Sequence, residues 1–266
     1  MSVKYIADMT PVELSDYIDT DGAVAIAGCG SVEQHGPHQL LGTDAYFTRI
    51  FMDYTAEECG GAVVPMMPFS WIGGLRQWAG TIDIRSKNQG AYLSSMCEEL
   101  IAMGFKRVVL INGHGGGREI TFSAARRVYK QTGVPVFAIY SSNYWFTHPD
   151  AVKAWADHYV TDESAYEPSV AAAGMLHMGR PDLVEALLNN AREELHYGGD
   201  HAETVMPQSY RLAGKTGNLS HFYWEERRHS RPSAQINPEA GLAVARAVAK
   251  TLAAQIKVYV RYTENN

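Results

Sequence analysis

Ala23-Val24-Ala25-Ile26-Ala27 is an unbroken apolar run that leads through Gly28-Cys29-Gly30 into Ser31-Val32-Glu33-Gln34-His35-Gly36-Pro37-His38 and then Gly42-Thr43-Asp44. The run has the length of a buried strand, which predicts a strand over 23–28. The segment after it supplies a carboxylate, two imidazoles and a second carboxylate between Glu33 and Asp44. Polar groups just past the C-terminal end of a parallel strand lie where α/β proteins build their active sites. These are the hard and borderline ligands that hold Zn²⁺, Mn²⁺ or Fe²⁺.

The same grammar recurs downstream. Arg107-Val108-Val109-Leu110-Ile111-Asn112 reads as a strand, and it runs into Gly113-His114-Gly115-Gly116-Gly117 and a helix over 118–131. Between the two, helices are expected over 44–58 and 88–103, the latter with Leu93, Met96, Cys97, Leu100 and Ile101 on one side. A strand is expected over 62–67, and a glycine- and tryptophan-rich loop over 68–82. Val134 to Ser141 reads as a further strand. Strands alternating with helices predict a parallel sheet covered on both faces. From 143 to 235 the pattern loosens into loops and short helical pieces, expected to lie over the sheet edge. A last helix over 238–260 carries an Ala/Val/Leu stripe that suits packing on the sheet. With no repeat or linker in view, residues 1–266 read as a single domain.

Composition sets the outer bounds. The chain of 266 residues is 46% apolar and 20% charged, enough for a substantial core. Its net charge of −6, with no block of like charges, points away from nucleic acid and from anionic membrane surfaces. No apolar stretch is long enough to span a bilayer, and the N-terminus carries no signal-like segment. Three cysteines, Cys29, Cys59 and Cys97, form no CxxC and read as reduced thiols of a cytoplasmic protein.

Each member of the candidate cluster also has a plainer role open to it. A histidine after a strand is often structural. Asp44 can cap a helix. The glycine run around His114 can cradle a phosphate. Glu33 and His35, one residue apart, can converge on one cation or face two. It is the joint arrival of such groups at two strand ends that favours a metal site.

Glu33-Gln34-His35-Gly36-Pro37-His38 with Gly42-Thr43-Asp44, and then Asn112-Gly113-His114-Gly115-Gly116 after a strand, resemble the creatininase family of metal-dependent amidohydrolases. The resemblance covers most of the chain. It implies a three-layer α/β/α sandwich with a mostly parallel central sheet and two divalent metal ions per subunit, zinc or manganese, with iron possible. It implies Glu33, His35, Asp44 and His114 as ligands, with Asp44 bridging. Creatininase itself has a ligand Glu two residues after the histidine of the glycine motif, where this chain has Gly116. Relatives sharing that glycine carry a later acidic motif, which Gly199-Asp200-His201-Ala202-Glu203-Thr204-Val205 resembles in shortened form. By that resemblance Glu203 is the fifth ligand, with Glu119 the weaker alternative, and His201 acts near the substrate; a structural histidine is its plainer reading.

Asn143-Tyr144-Trp145-Phe146 resembles the stretch where the family keeps a substrate-covering tryptophan, which makes Trp145 a candidate substrate contact, with core packing the plainer role. A second such tryptophan falls on Tyr197, a change that argues against creatinine as substrate. Trp71, Trp78 and Trp224 are placed either in the same pocket or at subunit contacts. Family members are commonly homohexamers, and Tyr144, Phe146, Tyr223 and Trp224 look exposed enough to suit such contacts. The activity implied is hydrolysis of a small cyclic amide or related C–N bond. Two metal ions activate a water toward the carbonyl, and His201 delivers a proton to the leaving group. The runner-up is ring-opening C–C hydrolysis of a cyclic keto-polyol, as in sugar or inositol catabolism. The alternative from another class is a metal- or nucleotide-binding protein without turnover.

Overall fold

The computed structural model describes residues 3–36, 38–73, 80–145, 147–192 and 234–264. Its centre is a five-stranded, all-parallel sheet in the order β1-β3-β2-β4-β5, built from Lys4–Tyr5, Ala25–Cys29, Ala62–Val63, Val108–Asn112 and Val136–Tyr140 as β1 to β5. β2 and β4 pair in full register, Ala25 with Val108 through Cys29 with Asn112, so both strands end level. Both are buried along their whole length. That explains why they read as continuous apolar runs rather than as alternating ones.

Side-chain alternation sends each strand into two separate cores. Val24, Ile26, Val109 and Ile111 face one; Ala25, Ala27, Val108 and Leu110 face the other. The first core is closed by α2 (Thr43–Cys59), α6 (Pro149–Ala156), α7 (Tyr166–His177) and the long C-terminal helix α9 (Pro238–Glu264). The second is closed by α1 (Pro11–Ile18), α3 (Ser86–Ala102) and α4 (Arg118–Thr132). The short α5 (Ser142–Trp145) and α8 (Pro181–Arg192) complete the α-helices of the described residues. The result is an α/β/α sandwich.

Two sequence expectations need correction, and one unassigned segment gains structure. The strand expected over 62–67 is formal only at Ala62–Val63, because Pro65 has no N–H to donate to the ladder. The chain still runs alongside β2, with Val64 N–H bonding to Ile26 and Met67 N–H to Gly28, at 2.9 and 3.0 Å. The N-terminal residues, left unassigned from sequence, form β1 and α1. Thr10 and Glu13 make a reciprocal capping box there, with Pro11 in the first turn. Finally, the helices expected after 143 do not all lie over the sheet edge. Helix α7 is an inner member of the layer, packed on α2 and α9. Among the described residues, no helix is long and apolar enough to cross a membrane.

Candidate metal centre

The site lies where β2 and β4 end. After Cys29 the chain makes a loop that closes on itself, Glu33 N–H donating to Leu41 at 2.9 Å, before α2 begins. A second strap holds it from outside: Ile82 N–H donates to Val32 at 2.9 Å, and Gln34 N–H to Thr81 Oγ1 at 3.1 Å. The loop folds Glu33 and His35 back over the start of α2. At the end of β4, Asn112 Oδ1 accepts the His114 N–H at 2.8 Å and sets that imidazole toward the same point.

Asp44 is the hub. It sits in the first turn of α2 but caps nothing, since the N-cap position is Gly42 and no side chain bonds there. Its Oδ2 lies 2.8 Å from His114 Nδ1 and its Oδ1 lies 3.1 Å from His35 Nε2. Ser31 Oγ donates to Oδ2 at 2.6 Å. Glu33 Oε1 lies 3.2 Å from His114 Nδ1 and 3.7 Å from His35 Nε2, while Glu33 Oε2 is buried without any hydrogen-bond partner. All four side chains are almost entirely out of water. An orphaned carboxylate oxygen at such a point is costly, and a cation answers it. The donor set suits a divalent transition ion.

Two groups of potential ligand atoms, each within 4.8 Å, meet at this hub: Glu33, Asp44 and His114, and His35, Asp44 and Glu167. Burial opposes charge on every member, yet the mutual interactions win for most. It pushes Asp44 upward, but the His35 charge and the hydrogen bonds from both imidazoles hold its carboxyl far below the usual range. Burial lowers both histidines, but Asp44 carries His35 well above its ordinary value, and Glu33 with Asp44 lifts His114 to about 10. Glu33 alone is pushed up, chiefly by burial. Without cations, protons on the imidazoles balance these carboxylates. Divalent ions on the same donors would replace those protons.

The other sequence candidates fare differently. Glu119 points to solvent from the first turn of α4 and pairs with Arg118 at 3.6 Å, so it does not reach the cluster. Tyr144 is not an exposed contact residue: it packs against the core and its hydroxyl donates to Gln255 at 2.7 Å. Trp71 adjoins the site through its carbonyl, 3.2 Å from His114 Nε2. Trp145 ends α5, with its side chain outside the described residues. Tyr197, His201, Glu203, Tyr223 and Trp224, together with Phe146 and Trp78, also lie outside them. The sequence reading passed over Ser31 and Glu167. Ser31 stood inside the ligand segment, and its small hydroxyl carries no motif of its own. Glu167 lay in a stretch with no helical period to place it.

Fold and site together define an α/β/α protein with a buried carboxylate–imidazole cluster at the C-terminal ends of its central strands. The chain belongs to the creatininase family: the family model described as creatinine amidohydrolase matches residues 7–256. The creatinine amidohydrolase of Pseudomonas putida is 23% identical over 149 residues, covering 53% of this chain and 57% of that one. The mycofactocin precursor peptide peptidase of Mycobacterium ulcerans (strain Agy99) is 32% identical over 108 residues, 37% of this chain and 43% of the relative. The alignments thus span about half the length of these curated relatives. A crystal structure of creatinine amidohydrolase superposes with a TM-score of 0.72 at 16% identity, over 97% of this chain and 98% of that one. Solved creatininases include a manganese form and a variant of zinc–zinc type.

Proposed function

We propose that this protein is a metal-dependent hydrolase that cleaves an amide C–N bond of a small substrate, most simply a cyclic amide, at a dinuclear centre. One observation carries the reading: the two oxygens of Asp44 face two different imidazoles, His114 and His35, at 2.8 and 3.1 Å. Divalent ions bound at this point would be held by Asp44 together with Glu33, His35 and His114. Both curated relatives bear names for amide cleavage, an amidohydrolase and a peptidase, which favours C–N over C–C hydrolysis. Bound divalent ions supply Lewis acidity and an activated water. The chain's own groups do the rest. Asp44 and Glu33 would supply the negative charge that holds the ions, and the buried walls keep the site's dielectric low. His201, from the 199–205 segment, is proposed as the proton donor to the leaving nitrogen. Trp145 and Tyr197 are proposed as substrate contacts.

We further propose a single domain over 1–266, a cytoplasmic setting in keeping with three free thiols, and a homohexameric assembly. Phe69, Trp71 and Ile82, exposed apolar side chains on the loops beside the site, suit a contact surface.

Elemental analysis of the purified protein with a screen of cyclic amides, peptides and keto-polyols tests the function. About two divalent ions per chain are expected, with chelation abolishing amide hydrolysis and Zn²⁺ or Mn²⁺ restoring it. Asp44→Ala loses metal. His201→Ala keeps it while kcat falls by about 10²–10⁴. Active protein with under half an equivalent of metal, or turnover confined to keto-polyols, overturns the reading.

A further inference from the structure

The Trp71 peptide joins the cluster to a buried side chain of the opposite layer. Its carbonyl oxygen lies 3.2 Å from His114 Nε2, and its N–H donates to Gln89 Oε1 at 2.8 Å. Gln89 belongs to α3 and is fully buried. Its other end is held as well: Nε2 donates to Ser70 Oγ at 3.4 Å, and that hydroxyl donates to the Gly30 carbonyl at 2.6 Å, just past β2. Ile72 N–H donates to Asp83 Oδ1 at 2.8 Å. Residues 70 to 72 are therefore tied one after another, and the peptide between them is held in one orientation. Gly116 keeps the approach to His114 open, since a Cβ there would meet His114 Nε2 at 2.5 Å and the Trp71 carbonyl oxygen at 2.8 Å. A carbonyl oxygen only accepts, so the His114 nitrogen facing it keeps its proton. In a neutral ring the lone pair then falls on Nδ1, the nitrogen 2.8 Å from Asp44 Oδ2 and 3.2 Å from Glu33 Oε1.

We propose that Gln89 is a positioning residue of the metal centre: acting through the Trp71 peptide, it fixes His114 as the Nε2–H tautomer and keeps Nδ1 free for a cation. This rests on the reading of the cluster as a metal site. Gln89 touches no proposed ligand and acts two hydrogen bonds away. A backbone carbonyl is a common partner for the second nitrogen of a metal-bound histidine; here the carbonyl is itself aimed by a side chain. The cluster is thereby gripped from both layers, by α2 through Asp44 and by α3 through Gln89. His35 provides an internal comparison. Its Nδ1 lies 3.1 Å from the carbonyl of Glu33, inside its own loop, and so does not depend on Gln89. The plainer role for Gln89 is to satisfy a buried N–H. That role affects stability and leaves metal affinity and the His114 tautomer unchanged, which makes the two separable.

Zn²⁺ affinity of the full chain, measured against a chelator of known strength, is read beside the ¹⁵N spectra of the histidine rings in the zinc-loaded protein. Gln89→Leu removes the acceptor and is expected to weaken Zn²⁺ binding by about 10–100-fold. Gln89→Glu returns an acceptor oxygen and is expected to restore most of that affinity. Ser70→Ala loosens Gln89 without touching the Trp71 N–H, so it is expected to shift affinity in the same direction by less, and it serves if Gln89→Leu does not fold. Wild-type spectra should show His114 bound through Nδ1 with a proton on Nε2. In Gln89→Leu the His114 signals should broaden or split while those of His35 stay in place. Unchanged affinity in folded Gln89→Leu and Ser70→Ala, an equal loss in Gln89→Glu and Gln89→Leu, or a change at His35 as large as at His114 overturns the assignment and leaves the metal reading intact. Wild type that takes up no Zn²⁺ overturns both.

Discussion

For Asp44 to serve two cations its carboxylate must not rotate, and the Ser31 hydroxyl helps the two imidazoles to hold it. The Ser31 hydroxyl is fully buried and donates to Oδ2 at 2.6 Å, the same oxygen that faces His114. Ser31→Ala leaves every proposed ligand in place and frees the carboxylate plane. Outer partners of this kind are worth about 10–100-fold in metal affinity. We expect Ser31→Ala to weaken metal binding by about that factor with the fold intact, read by competition against a chelator of known affinity. An unchanged affinity would show that Ser31 only fills space. Most of the cluster was readable from sequence because its members sit next to strand ends, where a local pattern is easy to see. Ser31 was not, since a hydroxyl's role depends on which oxygen it meets. Nor was Glu167, whose relevance depends wholly on where α7 packs.

That packing is set by two glycines. A Cβ on Gly174 of α7 would lie 2.3 Å from the Tyr46 carbonyl oxygen of α2, and one on Gly241 of α9 would lie 2.0 Å from the Ser169 carbonyl oxygen of α7. The three helices therefore touch backbone to backbone. Contact at Gly174 sets α7 against the start of α2, the end that carries Asp44. Gly241→Ala forces α9 and α7 apart; overpacking of this kind costs about 1–3 kcal/mol. The expected outcome is a lower urea midpoint together with weaker binding of the second metal equivalent. A loss of stability with both equivalents intact would show that α7 can shift without carrying Glu167 away. The stripe of α9 was visible in sequence because only one side of it is buried, with Val244, Val248, Leu252 and Ile256 inward. Helix α7 is enclosed through Val170, Ala171, Ala172, Ala173, Gly174 and Met175, so its sequence shows no stripe to find.

At the scale of the whole molecule the parallel, two-faced sheet follows from apolar strands alternating with helices, whereas the strand order and the assembly do not. Of the aromatics that suggested contacts, Tyr144 is used inside the subunit. Light scattering at micromolar concentration tests the hexamer, and a particle near the chain mass of 29.3 kDa would rule it out. The two cores make a further commitment, to pH. Burial pushes Cys29 up to about 11, and burial with the charge of Glu98 pushes Cys97 up to about 12. Tyr259 is likewise pushed up, to about 12, by burial. An unfolded thiol loses its proton near pH 8.5, so above that pH the unfolded chain binds fewer protons than the native one. Stability must then fall as pH rises, by about 1–2 kcal/mol for each buried thiol at pH 10. Urea midpoints of the chelated, reduced protein should decline between pH 8 and 10. Cys97→Ala should start lower, because it leaves a cavity, but decline less steeply, because one buried proton no longer has to be kept. Parallel slopes for variant and wild type would mean that the buried thiol plays no part in the alkaline loss.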